Sequence, residues 1–176
     1  KDEVVRIDLF KANVPMIDYD VMSAWGKLGS GVEFSDLTQE EMSKVSAMGQ
    51  NLDEFLCADK YIFVAPLWNF GVPPVLKAYI DNVLITGKTF KYTENGPVGL
   101  LKDKKALYIQ ASGGVYSNPQ MAPYEHGFSH LKIALGFIGI SDLHSLLIEG
   151  VNMAADGGKE IRDRFVEKAL ELGKTF

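Results

Sequence analysis

The sequence predicts an α/β fold, a doubly wound parallel sheet with helices on both faces, and three observations predict it. Tyr61 to Ala65 is a continuous apolar run of aromatic and β-branched residues, which is how a strand covered on both sides reads. Strand-like runs alternate with amphipathic helical segments in the order β-α-β-α-(hairpin)-β-α-β-α, the pattern of a parallel sheet with crossover helices. The chain of 176 residues is long enough to bury a core without disulfide or metal, so a single domain over 1–176 is expected.

Taken in order, Val4 to Phe10 begins with an apolar pair and then alternates, predicting the first strand. Lys11 to Asp20, punctuated by Pro15, reads as irregular chain, and Val21 to Trp25 as a short helical turn before a glycine-broken loop. Ser35 or Thr38 is placed to cap the next helix, with Glu40 and Glu41 near its positive end. Met42, Val45, Met48 or Gly49, Leu52, Phe55 and Leu56 give that helix a buried face. Cys57 follows this face and reads as a buried packing thiol. After the Tyr61 strand, Pro73-Pro74 can open a helix, where the missing N–H donors would be unpaired anyway. Lys88 to Leu101 predicts a small hairpin around Asn95-Gly96. Lys104 to Gln110 and Leu143 to Ile148 read as strands, Gln120 to Gly139 contains a helix, and Glu160 to Leu172 closes the chain as another.

Composition excludes several functions. A net charge of −5 leaves no basic footprint for nucleic acid. The single cysteine permits no internal disulfide or four-cysteine zinc site and fits a reducing, cytoplasmic setting. No apolar run is long enough to span a bilayer. Glu125-His126-Gly127-Phe128-Ser129-His130 spaces two histidines at i and i+4, but no third ligand follows and no metal site is expected. His144 reads as a strand-end residue.

Two strand ends carry the candidate chemistry. Pro66 stops a ladder, and Trp68, Asn69 and Phe70 follow on a loop at the carboxyl end of a strand, the edge where open α/β sheets bind ligands. Such a loop either packs on the core or meets a ligand, and the stretch alone supports both. Ser112-Gly113-Gly114 lies after the next long strand, and paired glycines let a ligand approach the backbone closely. Together the two loops could form a slot for a flat, polar-edged heteroaromatic ring. No Walker loop or G-x-G-x-x-G is present.

Ala65-Pro66-Leu67-Trp68-Asn69-Phe70, Leu76-Lys77-Ala78-Tyr79-Ile80-Asp81, Gly87 to Pro97, Gly113-Gly114 and Leu135-Gly136-Phe137-Ile138-Gly139-Ile140 closely resemble the bacterial FMN-dependent NADH:quinone oxidoreductases, or azoreductases. The resemblance implies a flavodoxin-like fold, a homodimer, and ping-pong transfer of two electrons from NADH or NADPH to quinones or azo compounds through FMN. It places Pro66, Leu67, Trp68, Asn69 and Phe70 against the flavin ring, with Asn69 at its polar edge. Ala111, Ser112, Gly113, Gly114 and Tyr116 would line the pyrimidine side, where some members carry Ser, Arg and His in place of Ala111, Ser112 and Tyr116. Tyr92 and Phe137 match aromatics of the substrate cavity and join Asn69 as the expected reacting-site residues. The family's first strand and its serine-bearing phosphate loop have no counterpart here, so the phosphate end of the FMN site is expected to be missing. Two other functions remain open at this stage: a flavodoxin-type electron carrier and a flavin-free scaffold. The apolar character of Leu131 to Ile140 on more than one face predicts contact with a partner subunit.

Overall fold

The computed structural model describes residues 3–176, which divide into two compact units, one of residues 3–58 with 74–85 and the other of residues 59–73 with 86–176.

The first unit is helical. Helix α1 (Tyr19–Gly29) is longer than the short turn expected, because Asp18 caps it by accepting from the Val21 N–H at 3.2 Å. Helix α2 (Gln39–Cys57) begins in a capping box: the Thr38 hydroxyl accepts from the Glu41 N–H, and the Glu41 carboxylate accepts from the Thr38 N–H. Thr38 is thus the cap, and Ser35 lies in a preceding 3₁₀ turn. Met48, Leu52 and Phe55 are buried as their spacing predicts. Helix α3 (Pro74–Val83) opens at Pro74 as expected, and its Tyr79 ring meets Phe55 edge-on at 6.3 Å. Burial, and then the nearby charge of Glu54, push the Tyr79 phenol up to about 12. A buried amide pair secures the irregular stretch before α1. Asn82 donates to the carbonyls of Pro15 and Ala78 and accepts from Asn51, which also donates to the Asn13 carbonyl.

Two sequence expectations are overturned in this unit. Val4 to Phe10 is not a strand. Val4 is 86% exposed and the run ends in a turn where the Asp8 carbonyl accepts from Lys11 and Ala12. Alternation shows only that a segment could bury one face, whereas a strand also needs a ladder partner, and the three-stranded sheet holds none for it among the described residues. Cys57 is exposed rather than buried. As the last residue of α2 it falls past the face that Phe55 occupies.

The second unit holds a parallel sheet of β1 (Lys60–Pro66), β4 (Lys105–Ala111) and β5 (Asp142–Ile148), in the order β1-β4-β5. Central β4 is the strand buried on both faces, with Ala106, Leu107 and Tyr108 in succession in the core. The Tyr61 run, expected to be covered on both sides, has a strand neighbour on one side only among the described residues. It buries Tyr61, Phe63 and Ala65 and leaves Ile62 58% and Val64 72% exposed. An apolar run marks what a strand could bury, and its place in the sheet decides how much it does.

The predicted hairpin is β2 (Phe90–Thr93) with β3 (Gly96–Gly99). Its turn is centred on Glu94-Asn95, one residue earlier than the Asn-Gly signal, with Gly96 at φ 100° paired to Thr93. The end of β3 lies backbone to backbone against the end of α4 (Gly127–Phe137). A Cβ on Gly99 would sit 2.2 Å from the Gly139 nitrogen, and the Leu101 N–H donates to the Ile138 carbonyl at 2.9 Å. Only glycine permits that approach. Helix α5 (Lys159–Gly173) closes the chain, and Ile161, Phe165, Ala169 and Leu172 are its less exposed side, as their spacing predicts.

Candidate functional site

The in-register pairing of Pro66 with Ala111 and of Ala111 with Ile148 ends all three strands at one level. Three loops therefore leave the same edge of the sheet. The ladder runs one step into two of them, since the Leu67 N–H donates to the Ala111 carbonyl and the Ser112 N–H to the Ile148 carbonyl, each at 2.8 Å.

The first loop reverses at once. Trp68 and Gly71 exchange N–H···O=C bonds of 2.9 and 3.0 Å, enclosing Asn69 at φ 47° and Phe70 at φ 72°. Asparagine tolerates the left-handed region, but a bulky residue there costs about 1–2 kcal/mol. The Phe70 conformation is held in place by its neighbours. Its carbonyl accepts from the His126 N–H at 2.8 Å, and its ring meets those of Tyr124 at 5.6 Å and Tyr116 at 6.5 Å. Trp68 and Phe70 remain about half exposed, at 50% and 46%. A strained, aromatic reversal left open at a strand end is a feature that concentrates at functional sites.

The second and third loops are laced together. The N–H groups of Gly150, Val151 and Asn152 donate to the carbonyls of Gly114, Ser112 and Gly113 at 3.0, 3.2 and 3.3 Å. The Ser112 hydroxyl also donates to the Gly114 carbonyl, and the Tyr116 N–H to the Glu149 carboxylate. A Cβ at Gly113 would fall 2.5 Å from the Asn152 side-chain nitrogen, so any larger residue there would displace the Asn152 amide from the cleft wall.

Between the loops lies a cleft of about 260 Å³ lined by Pro66, Leu67, Trp68, Ala111, Ser112, Gly113, Val151 and Asn152. Six of these are residues the sequence singled out. Asn69, Phe70, Gly114 and Tyr116 belong to the same loops without lining the cleft. Tyr92 and Phe137 stand elsewhere, packed on Phe90 with ring centroids 5.6 and 4.7 Å away. Val151 and Asn152 were missed. The available signal was Gly150, left-handed at φ 75° after the third strand, to which the strand-end rule applies equally.

The lining suits a flat ring: apolar walls from Pro66, Leu67, Trp68 and Val151, and a polar rim from Ser112, the Gly113 peptide and the Asn152 amide. Drug-sized pockets run to about 300–1,000 Å³, so this cleft takes a ring system rather than a whole dinucleotide. That is the chemistry of an isoalloxazine, and the residues present fit it. Beneath the cleft the Tyr108 hydroxyl donates to Gln110 at 3.0 Å, its pKa raised by burial and then by the charge of Glu125. His126 precedes α4 and His130 lies in its first turn, so the pair is not displayed along one helix face. His144 lies within β5, with its Nε2 3.0 Å from Asp142.

Comparison with known proteins agrees with this geometry. A family model described as a flavodoxin-like fold matches residues 1–172. An FMN-dependent NADH:quinone oxidoreductase of Bacillus cereus (strain ZK / E33L) is 54% identical over 176 residues, all of this chain and 83% of its own length. The FMN-dependent NADH:quinone oxidoreductase 2 of Bacillus subtilis (strain 168) is 51% identical over 175 residues, 99% of this chain and 83% of its length. Among solved structures, the azoreductase from Bacillus anthracis str. Sterne superposes with a TM-score of 0.87 at 40% identity, covering 98% of this chain and 81% of that one. An FMN-dependent NADH-azoreductase from Bacillus anthracis str. Ames Ancestor, solved in complex with FMN, gives 0.84 at 40% identity, covering 94% and 79%. With a cleft at the level ends of a parallel sheet and relatives of this similarity, the chain belongs to the flavodoxin-like family of FMN-dependent NADH:quinone oxidoreductases and azoreductases.

Proposed function

We propose that this protein is an FMN-dependent oxidoreductase that passes two electrons from NADH or NADPH to quinones or azo compounds in a ping-pong sequence. The observation that carries the reading is the cleft between the Pro66–Phe70 and Ala111–Gly114 loops, in a chain whose relatives are named for this activity. Bound FMN supplies the two-electron chemistry. Pro66, Leu67 and Trp68 would wall the ring and Ser112 and Gly113 would meet its pyrimidine side, while Asn69 and Gly114, on the same loops but outside the cleft lining, would reach it only at its edges. Half-exposed Trp68 and Phe70 leave room over one face for donor and acceptor to take turns, which demands an open aromatic cavity more than a dedicated acid or base.

The working form in this reading is a homodimer, and Tyr92 and Phe137 serve in it by closing the substrate cavity of the partner subunit. Two features support this: neither residue lines the cleft of its own chain, and α4 carries Ile133 73% exposed.

The test is a visible spectrum of the purified protein. Flavin bands that NADH bleaches directly support the oxidoreductase. A persistent one-electron-reduced spectrum on titration would make it an electron carrier instead, and a protein that takes up no added FMN would be a scaffold.

A further inference from the structure

Phe70 is held in a left-handed conformation by the two residues that flank Glu125. The Tyr124 ring lies 5.6 Å from the Phe70 ring, and the His126 N–H donates to the Phe70 carbonyl at 2.8 Å. Glu125 in turn fastens this segment to two rigid elements. Its carboxylate accepts from the N–H groups of Gly127, Phe128 and Ser129 at 2.9, 2.8 and 3.2 Å, which are orphan donors of the first turn of α4. It also accepts from the Gln110 side-chain amide at 3.2 Å. Gln110 is 2% exposed near the end of central β4, and its side-chain oxygen accepts a hydrogen bond from the hydroxyl of fully buried Tyr108. The junction is close-packed, since a Cβ on Gly127 would sit 2.1 Å from the Gln110 side-chain oxygen and 2.9 Å from Leu67 and would have to push both aside. Core, strand end, helix start and strained reversal thus form one connected chain of contacts, with Glu125 as its only acidic member.

We infer that Glu125 is a positioning residue, which fixes the Asn69–Phe70 reversal in the geometry that receives the flavin ring. The reversal is costly by itself, and a cost of that kind persists only where surrounding structure over-determines it. Charged acceptors make the stronger hydrogen bonds, and this one serves four donors at the single place where α4, β4 and the reversal meet. The role toward the ring rests on the function proposed above, whereas the hold on Phe70 does not.

The experiment compares wild type with Glu125→Ala, Glu125→Gln and Glu41→Ala, the last removing a buried acceptor from the other compact unit as a control for lost stability. Hydrogen exchange of the Gly71 and His126 amides is read without ligand. FMN affinity is read by fluorescence quenching, together with the visible circular dichroism of the bound flavin. In Glu125→Ala both amides exchange about tenfold faster, FMN binds about tenfold more weakly and the dichroic band changes. Glu125→Gln keeps an acceptor and recovers most of each property, and Glu41→Ala shows neither change. Unaltered exchange in Glu125→Ala, or an equal change in Glu41→Ala, overturns the inference. A wild-type protein that binds no FMN overturns the function and the flavin half of this inference, and the exchange data still decide the rest. Should Glu125→Ala not fold, Gln110→Met, which spares the helix cap, is expected to speed the same two amides.

Discussion

At the scale of single residues, the folded state depends on carboxylates that accept several donors at once. Glu41, 3% exposed, receives Lys27 at 2.7 and 2.9 Å, Ser23 at 2.7 Å and the Thr38 N–H at 2.8 Å. Lys27, then Ser23 and Thr38, lower its pKa from 4.5 to about 2. A carboxylate depressed on folding contributes stability that is present above its unfolded pKa and lost as pH falls through the folded one. Urea unfolding between pH 5 and pH 2 (about the two pKa limits) is therefore expected to show stability declining on acidification. The decline should be shallower in Glu41→Gln, and an equal decline in both would assign it to other groups. The capping role was legible, because Thr38 followed three residues later by Glu41 is a sequence signature. The burial of Glu41 was not, since Lys27 and Ser23 reach it from another helix. The same limit hid Asn51 and Asn82: a buried amide pair has no periodicity, and two of its partners, the Asn13 and Pro15 carbonyls, lie far away along the chain.

At the scale of elements, helices were read more truly than strands. A helix satisfies its own backbone, so Pro74, the Met48-Leu52-Phe55 face and the Ile161-Phe165-Ala169-Leu172 stripe sufficed to place α3, α2 and α5, with the cap of α2 left between Ser35 and Thr38. A strand's identity lies partly in its neighbour, which is why Val4 to Phe10 failed and why Tyr61 to Ala65 proved to have a strand neighbour on one side only among the described residues. The site followed the same division. Loops beside strongly written strands were found, and the Val151-Asn152 wall, beyond the last strand, was not. The hairpin supplies a test at this scale. Gly99 abuts the backbone of Ile138 and Gly139 at 2.3 and 2.2 Å from where a Cβ would be, and backbone cannot swing aside as a side chain can. Gly99→Ala is expected to destabilise by about 1–3 kcal/mol in urea unfolding, the range for overpacking. A loss well under that would mean that the hairpin and the end of α4 separate at little cost.

At the scale of the whole molecule, the net charge of −5 comes from acidic residues spread along the chain. No described helix is long and apolar enough to cross a membrane. One apolar side chain available for association is Ile133 of α4, 73% exposed on a helix that also buries Leu131, Ala134 and Leu135. Sedimentation at micromolar concentration is expected to give the mass of two chains for wild type and of one chain for Ile133→Glu. A wild-type monomer would remove the dimer from the proposed function and leave Tyr92 and Phe137 without their role there.

The three hydrogen bonds that lace residues 112–114 to 150–152 bear on the thermodynamics of ligand entry. Walls that are already ordered surrender little chain entropy when a guest arrives, so affinity is not spent on folding a loop. The heat-capacity change on binding should then be negative and scale with the apolar surface of the ring alone, without the excess that marks coupled folding.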